Sequence, residues 1–196
     1  MSYSTLNRIG GLVVLVTGSA VILFNAVLWT GVIPRSWEYP GYLVLQTLFL
    51  FSIVALLTRH AERPGVLLLL GFVLIVIDLV FGLSFSYYAS FAFPILQQQF
   101  PDAVRAVLGG PVGVLAMFTP FIGILGNILF YTGTLRARIV PRWASIVVIF
   151  SQILGLAMLP YNLPVIVASV GLIGMGYSMF AHKAARVSGL QPQMTA

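Results

Sequence analysis

VLLLLGFVLIVIDLVFGLSFSYY, residues 66–88, is an apolar run with a single ionisable side chain, Asp78, at its middle. About 20 apolar residues let a helix cross the hydrocarbon core of a bilayer, because there every backbone N–H and C=O must bond within its own helix. An acid at that depth costs about 2.5–3.5 kcal/mol on insertion scales. Asp78 is therefore expected to face protein or water rather than acyl chains.

The rest of the chain belongs to the same class. Of its 196 residues, 60% are hydrophobic and only 7% are charged, against the ~25% charged of an ordinary soluble domain. The expected fold is all-α: a single polytopic membrane bundle over residues 1–196. The net charge of +6 does not point to nucleic acid, because the basic residues sit in short loops between apolar runs. No cysteine is present, which excludes disulfides, thiolate metal sites and a cysteine nucleophile.

Working outward from 66–88, breaks rich in proline, glycine and charge divide the sequence into six expected spans: 10–30, 42–57, 66–88, 112–135, 143–159 and 165–181. The first starts after Arg8 and continues through VILFNAVLWT without a pause, so it reads as an uncleaved span rather than a signal peptide. With six spans, one side of the membrane collects Arg8, Arg59, Arg63, Arg136, Arg138, Arg142, Lys183 and Arg186, while the other holds Arg35 and Arg105. Basic residues stay cytoplasmic, so both termini are expected inside. Trp29, Trp37, Tyr39, Tyr42, Tyr87, Tyr88 and Tyr161 form the matching aromatic belt at the outer ends. The polar tail after residue 181 is expected to lack order beyond its first turn.

The longest connection, 89–111, contains PDAVRAVL (101–108), which Pro101 and Asp102 open and Gly109 and Gly110 close. A short helix on the outer surface is expected there. It acts either as a connector packed on the bundle or as a gate over a pocket lined by Phe91, Phe93 and Phe100.

Two segments carry a resemblance. LRARIVPRWASIVVI (135–149) resembles the junction between the fourth and fifth spans of a group of bacterial polytopic membrane proteins, in which an Arg-x-Gly/Arg-x-x-Pro-Arg-Trp turn follows an apolar helix. FPILQQQFPDAV (93–104) is similar to their outer connector. The resemblance covers residues 91–182 and implies a helical bundle of about six spans, with no activity attached to particular residues. The expected location is a bacterial cytoplasmic membrane.

Polar and small residues recur at helical spacing within the spans. Gly11, Gly18 and Asn25 share one face of the first, and Gly71, Asp78 and Gly82 lie in the third. Pro120, Gly123 and Asn127 mark the fourth, Ser145, Gln152 and Gly155 the fifth, and Gly171, Gly174 and Ser178 the sixth. Such stripes allow close helix packing. At 1.5 Å rise per residue, Asp78, Gln152 and Asn127 lie about 18, 15 and 12 Å from the inner ends of their spans. The three are the candidate ligand or proton site, with Asp78 expected to bond Asn127 or Gln152. Asp78 is then either a protonatable group or a neutral structural node.

No hydrolytic, phosphate-binding or paired-carboxylate motif occurs, and an enzyme is not expected. His60 and His182 flank basic turns at span ends, so no metal, haem or other cofactor is expected. The sequence points first to an accessory membrane subunit or a binder of a lipid-like ligand. The alternative is a small transporter or proton-coupled permease using Asp78. Expected partners are membrane lipids and other membrane subunits. A water-accessible cavity reaching Asp78 is expected of the transporter, and an Asp78 that is dry and capped by neighbours of the subunit.

Overall fold

Most prolines of this chain mark helix starts, where the missing N–H costs nothing. Pro40, Pro94, Pro101, Pro111 and Pro164 stand within a first turn, and Pro141 immediately precedes a helix; Pro120 is an interior exception. The structure, a computed structural model, describes residues 3–59, 65–138, 140–157 and 162–181. Within them the chain is helical throughout, with no strand: α1 (Tyr3–Trp29), α2 (Glu38–Arg59), α3 (Val66–Tyr87), α4 (Phe93–Gln99), α5 (Pro101–Gly109), α6 (Pro111–Ala137), α7 (Arg142–Leu156) and α8 (Asn162–Ala181). A 3-10 turn, Arg35–Trp37, leads into α2, and a π-helical turn, Tyr88–Ala92, joins α3 to α4. His60, Arg63, His182, Lys183, Arg186, Tyr161 and the polar tail lie outside the described residues.

Five stretches are long and apolar enough to cross a membrane: Thr5–Trp29, Arg35–Arg59, Val66–Gln99, Met117–Ala137 and Leu163–Ala181. The fifth expected span departs from this. α7 has 15 residues and ends at Leu156, just past Gly155, so it reaches only about 22 Å. Several helices also begin earlier or end later than their apolar runs, because a helix ladder continues into polar flanks where water satisfies its ends.

The long helices form a closed ring in the order α1, α2, α3, α6, α7, α8, with α8 returning to α1. Side-chain and glycine contacts make each neighbouring pair antiparallel. Thr17 meets Ser52 while Asn25 meets Tyr42, Gly71 meets Phe130 while Gly123 meets Asp78, and Gly11 meets Met179 while Gly18 meets Ser169. One end of the ring therefore carries Arg8, Arg59, Arg136, Arg138 and Arg142, and is here called the basic end. The other carries Trp29, Arg35, Trp37 and the α4–α5 connector. The core of Val14, Ile53, Leu56, Leu68, Ile75, Phe130, Tyr131, Val148 and Met175 fills the basic half. α5 packs on α6 through the buried Val104 side and keeps an exposed Asp102–Arg105 pair at 3.9 Å, a contact worth little in water.

Glycine permits the closest approaches in the basic half. Gly11 and Gly176 bring α1 against α8, and Gly71, Gly126 and Gly133 bring α3 against α6. A Cβ added at Gly176 would lie 2.5 Å from the Leu15 nitrogen, and one at Gly71 would strike the Phe130 backbone. Gly71→Ala and Gly176→Ala are each expected to cost about 1–3 kcal/mol by forcing helices apart. Thermal unfolding in detergent measures this. Gly109→Ala, with nothing within 4 Å of its added Cβ, should stay within about 0.5 kcal/mol of the parent.

Candidate functional site

Toward the other end the ring opens. A cavity of about 810 Å³ lies inside it, walled by residues of α1, α2, α3, α6, α7 and α8 together. That volume lies within the range of small-molecule sites, about 300–1,000 Å³. Because neighbouring helices are antiparallel, the residue numbers give the depth of each wall position. Phe49, Asp78, Asn127, Ser151 and Leu172 are the deepest on their helices, while Tyr42, Tyr88, Thr119, Gly155 and Pro164 lie nearest the far end. Asp78 is thus on the floor, directly above the packed core.

The most exposed wall residues are Phe81, Ser84 and Phe85 of α3 and Pro120 of α6, all of them on two adjacent helices. The Phe85 ring also packs edge-on against Tyr39 of α2. At the floor α3 and α6 are joined, with the Asp78 carboxyl resting on Gly123 in the space that a side chain at position 123 would take. One turn nearer the far end, Pro120 removes a backbone hydrogen bond from α6. Phe81 is one helical turn from Asp78, so exposed wall residues begin at mid-depth of the apolar stretch.

The hydrogen bonds around this floor run within helices rather than across it. Asn127 Nδ2 donates to the Gly123 carbonyl at 2.9 Å, and Gln152 Nε2 donates to Ser151 Oγ at 3.0 Å. The Ser151, Ser169 and Ser84 hydroxyls donate to the Val148, Val165 and Val80 carbonyls at 2.6, 2.8 and 2.8 Å. Tyr42 donates to Asn25 Oδ1 at 3.2 Å. Among the described residues no hydrogen bond or ion pair reaches the Asp78 carboxyl, and no basic side chain lines the cavity.

Asp78, Asn127 and Gln152 therefore share one cavity, as their depths suggested, but the direct bond from Asp78 to either amide is not formed. Each amide finds a partner on its own helix, which leaves the carboxyl facing open space. Phe91, Phe93 and Phe100 are not among the cavity-lining residues, although the Phe93 ring packs on the wall residue Tyr88. Gln46 was missed by the sequence reading. Its Oε1 accepts from Ser86 Oγ at 3.2 Å and its amide covers Gly82, tying α2 to α3 at cavity level. An amide four residues beyond Tyr42, within an otherwise apolar span, was the available signal. Among the described residues no cluster of three or more metal-ligating side chains occurs. Comparison with protein-family models, with curated proteins and with solved structures gave no match.

Beneath the floor lie further buried polar groups. Ser52 Oγ donates to Thr17 Oγ1 at 2.8 Å between α2 and α1, and the Thr134 and Ser145 hydroxyls meet at 3.0 Å between α6 and α7. The Tyr131 hydroxyl is fully buried with no hydrogen-bond partner among the described residues.

The Asp78–Gly123 contact makes a quantitative prediction. Gly123→Ala should destabilise the protein, and Asp78→Ala should relieve most of that cost by vacating the space. A double-mutant cycle in thermal unfolding should give a coupling of about 1–3 kcal/mol. Additive effects would mean that the carboxyl does not rest there.

Proposed function

We propose that this chain is a six-span protein of the bacterial cytoplasmic membrane, with α1, α2, α3, α6, α7 and α8 as its crossings and both termini in the cytoplasm. The basic end supports that orientation, since Arg8, Arg59, Arg136, Arg138 and Arg142 gather there while Arg35 and Arg105 lie at the other. α7 is the shortest crossing; it is held between α6 and α8, and local thinning of the bilayer accommodates a short span. A periplasmic-active reporter fused after Ala196 should stay silent, and activity there would reverse the orientation.

Within that frame the protein binds a lipid-like, amphipathic ligand in the outer half of its ring, with no chemistry of its own. The observation that carries this reading is the cavity that ends on Asp78. An apolar wall with a polar floor fits an apolar body with one polar group. A subunit whose Asp78 only bonded helices together would have that carboxyl capped by neighbours. Here it lines the cavity. The exposure of Phe81, Ser84, Phe85 and Pro120 supports entry of the ligand from the lipid. A cavity at Asp78 is also what a transporter needs, so a second reading stands beside this one.

A second reading, passage of the ligand across the membrane, draws on the groups beneath the floor. Thr17, Ser52, Tyr131, Thr134 and Ser145 give the closed half a buried polar content that tight packing does not require. Pro120 supplies a weakened point in α6.

Photolabelling with a diazirine-bearing long-chain alcohol in proteoliposomes tests the shared core of both readings. Label is expected on the walls, in Leu79–Phe85 and Thr119–Ile124, and Ala168→Trp should reduce it at least fivefold by filling the cavity. Label confined to outward-facing residues such as Leu23 and Val73 would overturn the binding function.

A further inference from the structure

We propose that the ligand of the cavity is a lipophilic cation, a molecule with one positive charge on an aromatic or alkyl body, held by Asp78 as its counter-ion. The inference rests on the reading of the cavity as a ligand site and specifies its chemistry. It follows from what the wall can still offer.

The hydroxyl donors around the floor are engaged. The Ser151 and Ser169 hydroxyl protons point at backbone carbonyls of their own helices, and the Asn127 and Gln152 amides each direct one of their two N–H groups within their helix. What remains toward the cavity is the Asp78 carboxylate beside the neutral amides of Gln46, Asn127 and Gln152, which keep free N–H groups as well as oxygens. The charge of the site therefore rests on Asp78 alone. An anionic headgroup would meet that carboxylate with no basic side chain on the wall to offset it. A neutral apolar ligand would leave the carboxylate desolvated, at a cost of a kind that buried polar groups do not bear without partners.

A cation resolves both difficulties. Asp78 is the one acid on the wall, so a single positive charge neutralises the site. Phe49, Phe81, Phe85 and Tyr88 line the same space, and aromatic rings attract a cation while accepting an apolar body. A strongly hydrated inorganic ion would lose its water against a wall that is mostly apolar. A bulky onium ion, whose charge is diffuse and weakly hydrated, loses little on leaving water and fits a volume of about 810 Å³.

Three probes of like shape provide the test: tetraphenylphosphonium, the neutral triphenylphosphine oxide and tetraphenylborate, titrated calorimetrically against the full chain in uncharged detergent. Tetraphenylphosphonium should bind at least tenfold more tightly than the neutral probe, and tetraphenylborate should not bind. Asp78→Asn should bring the cation-to-neutral affinity ratio to near one. Its thermal unfolding midpoint and elution volume report whether it has folded, and Asp78→Glu, which keeps the charge, should retain a preference for the cation. Equal binding of cation and neutral probe by the parent protein would overturn the cation assignment and leave the cavity as a ligand site. Failure of all three to bind a folded parent protein would overturn the ligand site itself. An Asp78→Asn protein that keeps the full cation preference would remove Asp78 as counter-ion.

Discussion

Backbone meets backbone at three seams of the ring, α1 against α8, α3 against α6 and α7 against α8, and the cavity lies where the α3–α6 contact gives way to side chains. Without a hydrophobic force between helices in lipid, close packing and polar contacts must hold them. Gly11 and Gly176 at the first seam, and Gly71, Gly126 and Gly133 at the second, bring main chains together throughout the basic half. At cavity level on the α3 side the glycines meet side chains instead. Gly123 receives the Asp78 carboxyl and Gly82 the Gln46 amide. The same residue type thus brings backbones together at most of these positions and, at Gly82 and Gly123, seats polar groups. A ring of near-parallel cylinders becomes tight at one end and hollow at the other.

That division bears on why an acid is present. A carboxyl in an apolar stretch costs about 2.5–3.5 kcal/mol even on lenient scales, a large part of the 5–15 kcal/mol by which a typical domain is stable. If only a helix contact were needed, an amide at position 78 would supply hydrogen bonds at less risk. Asn25 shows the local alternative: it is buried, donates to Val21 on its own helix and accepts from Tyr42 on the next. Asp78 has no such arrangement. A costly group with no hydrogen-bond partner among the described residues, set on the floor of a cavity, supports the proposal of a ligand site there.

Much of this was legible in the sequence because the bilayer leaves the backbone so few options. Residues 66–88 read as a helix and emerge as Val66–Tyr87 with a π turn beyond. The glycine stripes read as packing surfaces, and Gly11, Gly18, Gly71 and Gly171 all make close contacts. The shared depth of Asp78, Asn127 and Gln152 followed from counting rise per residue. Direction around the helix axis was harder. Gly82 faces Gln46 on α2 rather than α6, and the amides of Asn127 and Gln152 bond locally. A pattern of small and polar residues tells which positions meet something, not which neighbour supplies it. Gln46 escaped notice because no glycine stripe accompanies it on its own helix. The apolar run of the fifth expected span continues to Leu159, whereas α7 is described over Arg142–Leu156 and residues 158–161 lie outside the described residues.

The irregular points of the wall follow the same geometry. Tyr88 is both a wall residue near the far end and the first residue of the π turn, where the ladder widens. On α6, Pro120 interrupts the ladder one turn before Gly123. Both irregularities thus fall at cavity level, on the two helices that carry the exposed wall residues Phe81, Ser84 and Phe85. Below that level Ile75 and Phe130 are fully buried, where Gly71 and Gly126 bring the same helices together. Every described wall residue belongs to the ring helices or to the π turn, so the cavity is a property of the ring itself.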